Sequence, residues 1–256
     1  MNIEINRFFI DDIKNEEHPS DFEYTSKYAL LILRLPYINA SQTKIESYAF
    51  LIKEGVVYLY ERDLDEFKEI GGFEELHRYL DIRIDKILAK LSRLNFQISA
   101  MEEPFYEGDM PKDFTKKWLG LKKELSSIER LMSQSLIAFQ RFLKYFKKDL
   151  DTLAYKDLEE HMERSCRLSE NSSQKLDYLF NLYKLKVDEK MNKIMFVLTI
   201  ISAIFLPLTL ATGFFGMNTG GLPLVDDPLG TLKVSVGVLL LEIPLVLYIY
   251  KMAKRD

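Results

Sequence analysis

Between Lys193 and Asp226 the chain carries no charged residue. Within that interval, Ile194 to Phe215 is long enough to cross a bilayer as a helix, which takes about 20 apolar residues. The run ends in Gly216-Met217-Asn218, and a second apolar segment, Val234 to Tyr250, lies beyond it. Upstream the chain is charged and helical in pattern. These features predict a large cytosolic body hung on a two-helix membrane hairpin.

The polar residues of the first span are ordered. Asn192, Met195, Thr199, Ser202, Leu206, Thr209 and Gly213 follow one another at alternating steps of three and four. That spacing marks one narrow face of a helix. The remaining faces carry Phe196, Val197, Ile200, Ile201, Ile204, Phe205 and Leu208, and Thr212 alone breaks the rule. Two readings of the stripe stand at this point. Ser and Thr pack membrane helices together and bond back to their own backbone. Several copies around an axis would instead make the same stripe the wall of a conduit.

The end of the span narrows the choice. Phe215-Gly216-Met217-Asn218 resembles the signature of the CorA family of divalent-cation channels, Gly-Met-Asn after an aromatic residue at the close of the first membrane helix. The likeness extends upstream without gaps through Asn192, Met195, Leu198, Leu206, Pro207 and Thr209. It implies an α+β cytosolic domain, a long stalk helix and two transmembrane helices, assembled as a funnel-shaped homopentamer. It also implies an ion selectivity filter at Gly216, Met217 and Asn218. Pore-lining positions follow at Asn192, Met195, Leu198, Thr199, Ser202, Leu206, Thr209 and Gly213, with a hydrophobic gate at Met195 and Leu198. The loop after the motif, Thr219-Gly220-Gly221-Leu222-Pro223, resembles instead the ZntB branch, associated with zinc. Closure in the family uses magnesium held between protomers by acidic residues. Asn181 stands at one matched stalk position where an acid is expected, and Asp157 survives at a second.

The chemistry of the filter can be stated from the residue types. Magnesium gives up its octahedral water shell reluctantly. A ring of Asn218 amide oxygens, as the resemblance implies, would accept hydrogen bonds from those waters without binding the ion too tightly to release it. Gly216 lets the backbone turn and approach the ion. Asp226 and Asp227, in the loop between the spans, either concentrate cations by their field or are simply solvated.

Composition bounds the rest. The chain has 256 residues, and a net charge of −4 without a basic patch interleaved with aromatics gives no sign of nucleic acid. Cys166 is the one cysteine, so no disulfide forms within the chain. His18, His77 and His161 are far apart and show no metal-ligand spacing. No phosphate-binding loop or nucleophile–base motif suggests an enzyme. The opening MNIEINRFFIDD lacks the pattern of a signal peptide.

In order, residues 1–72 are expected to form a small α/β domain around a mixed sheet. Its strands would be Ile3–Ile10, Tyr28–Leu35, Ser47–Lys53 and Val56–Tyr60, with a turn at Glu54-Gly55. A loop is expected at His18–Asp21, and Pro36 should end the second strand. Residues 73–150 predict an antiparallel helix pair, the first helix ending near Met101 and the second running from Lys112 to Leu150. Residues 151–193 form the stalk, 194–215 the first span, 216–233 the motif and external loop, 234–250 the second span and 251–256 a basic tail. No Pro or Gly interrupts Tyr155 to Pro207. Lys184, Lys186, Lys190 and Lys193 precede the first span, and Lys251, Lys254 and Arg255 follow the second. Both positive flanks belong inside, giving a plasma (inner) membrane protein with both termini cytoplasmic.

The leading reading is a channel or transporter for hydrated Mg2+. The alternatives are a Zn2+ or other transition-metal transporter, with or without proton coupling, and a membrane-anchored coiled coil without transport. The expected partners are further copies of the chain, a divalent metal ion and the lipid bilayer. Glu242, in mid-span, fits no part of this pattern. A charge there costs at least about 2.5 kcal/mol on insertion scales. It must therefore face protein, water or a partner, or carry a proton.

Overall fold

The computed structural model describes residues 5–15, 17–39, 42–110, 112–217, 220–224 and 226–253. The chain divides into two compact units, Met1–Leu182 and Tyr183–Asp256.

The first unit opens with helix α1 (Arg7–Lys14), followed by strands β1 (Asp21–Tyr24), β2 (Ala29–Asn39), β3 (Gln42–Lys53), β4 (Val56–Glu61) and β5 (Glu66–Gly71). The strands pair in chain order and every pairing is antiparallel, so the sheet is a meander and not the mixed sheet expected. Glu54 and Gly55 both have positive φ, 53° and 79°. They form the two-residue hairpin turn whose twist matches its strands.

Both faces of the sheet are covered. Leu30, Ile32 and Ala49 pack with Ile13 and Phe9 of α1. On the other face Leu31, Leu33, Leu35 and Phe50 are fully buried. There Phe22 meets Phe142, and Tyr79 lies edge-on to Phe50. Burial on both faces is why β2 reads as a continuous apolar run rather than an alternating one.

Three local expectations are corrected, and one strand is added. The expected first strand, Ile3–Ile10, has Ile3 and Glu4 outside the described residues and runs into α1, whose N-cap Asn6 accepts a hydrogen bond from the Phe8 amide at 3.1 Å. Phe9 and Ile13, four apart, supply its inward face. Asp21, expected in a loop, begins β1 instead. Pro36 does not end β2, which continues to Asn39. Beyond Ile32 the strand has no β1 partner, and such an edge tolerates a missing N–H. Finally β5, charged at Glu66, Lys68 and Glu69, forms a strand that alternation does not announce.

Three long helices follow: α2 (Phe73–Tyr106), α3 (Phe114–Tyr145) and α4 (Thr152–Phe215). The α2 N-terminus is fixed by Glu75, whose carboxylate accepts from the Gly72 amide at 2.8 Å. That helix runs past Met101 and through Pro104, while α3 stops at Tyr145, short of Leu150. The chain re-enters helix where Asp151 caps α4, accepting from the Leu153 amide at 3.0 Å.

Contacts set the helix directions within this unit. Phe105 meets Phe114 at the α2–α3 connection. The α3–α4 seam is antiparallel: Trp118 donates to the Leu176 carbonyl, Lys122 pairs with Asp177, and Phe142 meets Tyr155. The buried α4 positions Tyr155, Leu158, Met162, Ser165, Ser169, Ser172, Leu176 and Leu179 alternate by three and four, a coiled-coil period. Burial pushes the Cys166 thiol up, which suits a packing role.

The second unit holds the last part of α4 and α5 (Gly230–Ala253). Both helices are long and apolar enough to cross a membrane.

Candidate ion pathway

Exposure divides the α4 span into two sides. Phe196, Ile200, Ala203, Ile204, Pro207, Leu208, Ala211 and Phe215 are half-buried. Asn192, Met195, Leu198, Thr199, Ser202, Leu206, Thr209 and Gly213 are all exposed in the single chain. At about 100° per residue these sets point in well-separated directions. The half-buried set is the side toward α5: Leu208, Ala211, Thr212 and Phe215 line a shared cavity with Val234 and Val238. The stripe thus lies on an open face, and the large side chains of Met195, Leu198 and Leu206 are 61%, 62% and 68% exposed there. Leu206, Thr209, Gly213 and Met217 line a shallow groove on it.

The threonines are tied to their own helix. Thr199 Oγ1 donates to the Met195 carbonyl at 2.8 Å and Thr209 Oγ1 to the Phe205 carbonyl at 2.7 Å. Each hydroxyl spends its one proton inward and keeps acceptor lone pairs. An acceptor suits the water hydrogens around a hydrated cation.

The helix ends at Phe215, with the Gly216 amide donating to the Thr212 carbonyl at 2.9 Å. A Cβ on Gly216 would stand 2.8 Å from that carbonyl oxygen, so only glycine fits without a shift. Met217 follows as an exposed residue. Asn218 and Thr219 lie outside the described residues.

Asp226 is exposed, but Asp227 is occupied. Its carboxylate accepts from the Leu229 amide at 2.9 Å, at the entrance to α5, and pairs with Lys233. The Lys233 ammonium, with the Leu229 amide, holds the Asp227 carboxyl below the usual carboxylate range.

In the first unit the structure assembles a group that spacing along the chain does not reveal. One ligand atom each from Asp81 and Asp85 of α2 and His161 of α4 lie within 4.8 Å of one another. His161 Nδ1 is 3.9 Å from Asp85, and Nε2 is 3.9 Å from Asp157. Nδ1 is buried, with no hydrogen-bond partner among the described residues. The signal lies in two i,i+4 pairs, Asp81/Asp85 and Asp157/His161, which set both members of each pair on one helix face. Asn181 is exposed on α4.

Comparison with known proteins gives these features a context. A family model described as CorA-like Mg2+ transporter protein matches residues 2–252. The chain is 24% identical over 159 residues to the divalent cation transporter CmaX of Pseudomonas aeruginosa, covering 60% of this chain and 47% of that protein. It therefore spans about half the length of that relative. It is 24% identical over 233 residues to the zinc transport protein ZntB of Vibrio parahaemolyticus, covering 84% of this chain and 71% of the other. The complete structure of the CorA magnesium transporter from Methanocaldococcus jannaschii superposes with a TM-score of 0.73 at 19% identity, covering 96% of this chain and 83% of that one.

Proposed function

The chain belongs to the family of CorA-like Mg2+ transporter proteins, and on that footing we propose that it is a divalent-cation channel conducting hydrated Mg2+ across the plasma membrane. The observation that carries this reading is the position of the polar stripe. It occupies the α4 face turned away from α5 and leads to Gly216-Met217-Asn218. Copies arranged around an axis, five by family resemblance, bring those faces together as the wall of a pore. Residues 1–193 then form the cytosolic domain and stalk, and both termini lie in the cytoplasm. No chemistry on a substrate is required: the metal ion is cargo.

In this reading Asn218 oxygens accept hydrogen bonds from the ion's water shell at the mouth, where the Gly216 turn brings the backbone close. Thr209, Ser202, Thr199 and Asn192 offer successive rings of acceptors below. Leu206, Leu198 and Met195 supply apolar constrictions that close by dewetting. Asp226 is the freer of the two loop carboxylates for drawing cations in, because Asp227 is engaged by Lys233.

A Zn2+ transporter is the second reading, favoured by the Gly220-Gly221-Leu222-Pro223 loop and by the ZntB relative. Flux into proteoliposomes of purified protein, with Mg2+ and Zn2+ in competition and with and without a pH gradient, separates the two. Asn218→Ala should abolish or scramble selectivity while assembly persists. Wild-type protein that passes neither ion, with Asn218→Ala silent, would leave only a membrane-anchored coiled coil.

A further inference from the structure

Glu242 stands in the second apolar span of α5, where its neighbours Leu241 and Ile243 are 71% and 55% exposed. Glu242 itself is only 6% exposed. Its Oε1 is shielded from solvent and has no hydrogen-bond partner among the described residues. Gly230, Val234, Val238, Glu242 and Val246 recur every four residues as the less exposed side of α5. That side is the one toward α4, since Gly230, Val234 and Val238 line the shared cavity.

The cavity also gives the antiparallel register. It takes in Leu208 to Phe215 of α4 with Gly230 to Leu239 of α5. Continued by one turn, the register brings Glu242 level with Ala203 and Ile204, both half-buried. Pro207 lies inside α4. Proline has no N–H, so the helical hydrogen bond that the Ala203 carbonyl would accept from residue 207 does not exist. An acceptor left vacant in the span thus stands at the level of a buried carboxyl without a partner among the described residues. Directions agree as well. Helical side chains lean toward their own N-terminus, and helical carbonyls point toward the C-terminus. In an antiparallel pair the Glu242 side chain and the Ala203 carbonyl therefore reach toward the same end.

We propose that Glu242 holds a proton inside the membrane and donates its carboxylic O–H to the Ala203 carbonyl, latching α5 to the candidate pore helix at its proline. The two spans supply no competing charge at this level. The facing stretch of α4, Ile194 to Phe215, contains no titratable residue. On α5 itself the titratable groups are Lys233 near the outer end and Tyr248, Tyr250 and Lys251 near the other. The latch stands on packing alone, while its effect on flux rests on the transport reading.

Infrared spectroscopy of the full-length protein in lipid vesicles tests it. At neutral pH the wild type should show the carbonyl stretch of a protonated carboxylic acid, sensitive to H/D exchange and absent from Glu242→Gln. Pro207→Ala restores an N–H to the Ala203 carbonyl, so the band should move to the position of a weaker hydrogen bond. No band assignable to Glu242, or one unmoved by Pro207→Ala, overturns the latch. In flux assays Glu242→Ala, which removes the donor, should change transport about fivefold, the scale of one hydrogen bond. Glu242→Gln, which keeps a donor, should stay close to the wild type. Glu242→Ala flux equal to the wild type's overturns the coupling of the latch to transport. A protein that shows the band and conducts nothing refutes the transport reading and leaves the latch standing.

Discussion

At Gly216 the chain has room for a hydrogen and nothing larger. The nearest obstacle to a methyl group is the Thr212 carbonyl oxygen, 2.8 Å away, and backbone cannot rotate aside as a side chain can. Gly216→Ala must shift the helix end by a few tenths of an ångström, at about 1–3 kcal/mol for a crowded site. The turn leading to Asn218 moves with it. Flux should fall at least tenfold while the protein still assembles, as judged by size-exclusion chromatography. Gly213 is the control, because a methyl group there would meet nothing within 4 Å. Its alanine variant should assemble and should keep the wild type's resistance to unfolding, which Gly216→Ala should not keep. The threonines below give the opposite expectation. Thr199 and Thr209 already bond to their own helix, so Val substitution removes a proposed acceptor ring without opening a packing defect. Thr209→Val should leave thermal stability within about 0.5 kcal/mol, typical of a surface change. It should slow Mg2+ flux severalfold, less than Asn218→Ala does. Equal losses from the two variants would remove the filter's special place at Asn218.

Among the elements, α4 is joined to α2 and α3 by polar ties around an apolar seam. Lys175 of α4 donates to Ser99 at 3.2 Å and pairs with Glu102 of α2 at 2.8 Å, where Glu102 is 16% exposed. The Lys175 ammonium, and then the Tyr106 hydroxyl, hold the Glu102 carboxyl below its ordinary value of 4.5. A carboxyl depressed in the folded state adds stability at pH above the unfolded value and loses it as pH falls through the folded one. The first unit should therefore weaken below about pH 4.5, and Glu102→Gln should flatten that part of the profile. At pH 7 the variant should unfold about 1–2 kcal/mol more easily, measured by urea denaturation. The helices that bear these ties are legible in the sequence because Leu and Ile recur at a steady period. The membrane span is legible because it lacks charge. The sheet can be read only where strands are buried on both faces. Helix α1 escapes such a reading because Phe8, Phe9 and Ile10 crowd together and hide the i,i+4 pair of Phe9 and Ile13, and β5 escapes it because its charges mask its pairing. Of the Asp81–Asp85–His161 group the sequence shows only the i,i+4 pairs Asp81/Asp85 and Asp157/His161, because its members lie on two helices that only packing brings within reach of one another.

For the whole molecule the decisive question is on which side of the membrane each unit lies, and the placement of cations supplies the expectation. Lys184, Lys186, Lys190 and Lys193 lead into the first span, while Lys251, Lys254 and Arg255 leave the second. The loop between them carries Asp226, Asp227 and a single Lys233, which Asp227 already neutralises. Lys and Arg near span ends favour the cytoplasmic side, so the proposed arrangement keeps both flanks in and puts the loop out. Cysteine labelling in intact cells tests this directly. In a Cys166→Ser background, Asp226→Cys should react with a membrane-impermeant thiol reagent added outside. Lys251→Cys should react only after the cells are opened. Protection of residue 226 alone could reflect a neighbouring copy covering the loop, so the second site carries the test. Labelling at residue 251 from outside would reverse the topology. It would place the Asp81–Asp85–His161 group outside the cell and turn the pore's Gly216-Met217-Asn218 mouth toward the cytosol. The proposed reading of that motif as an outward-facing ion mouth would then be lost.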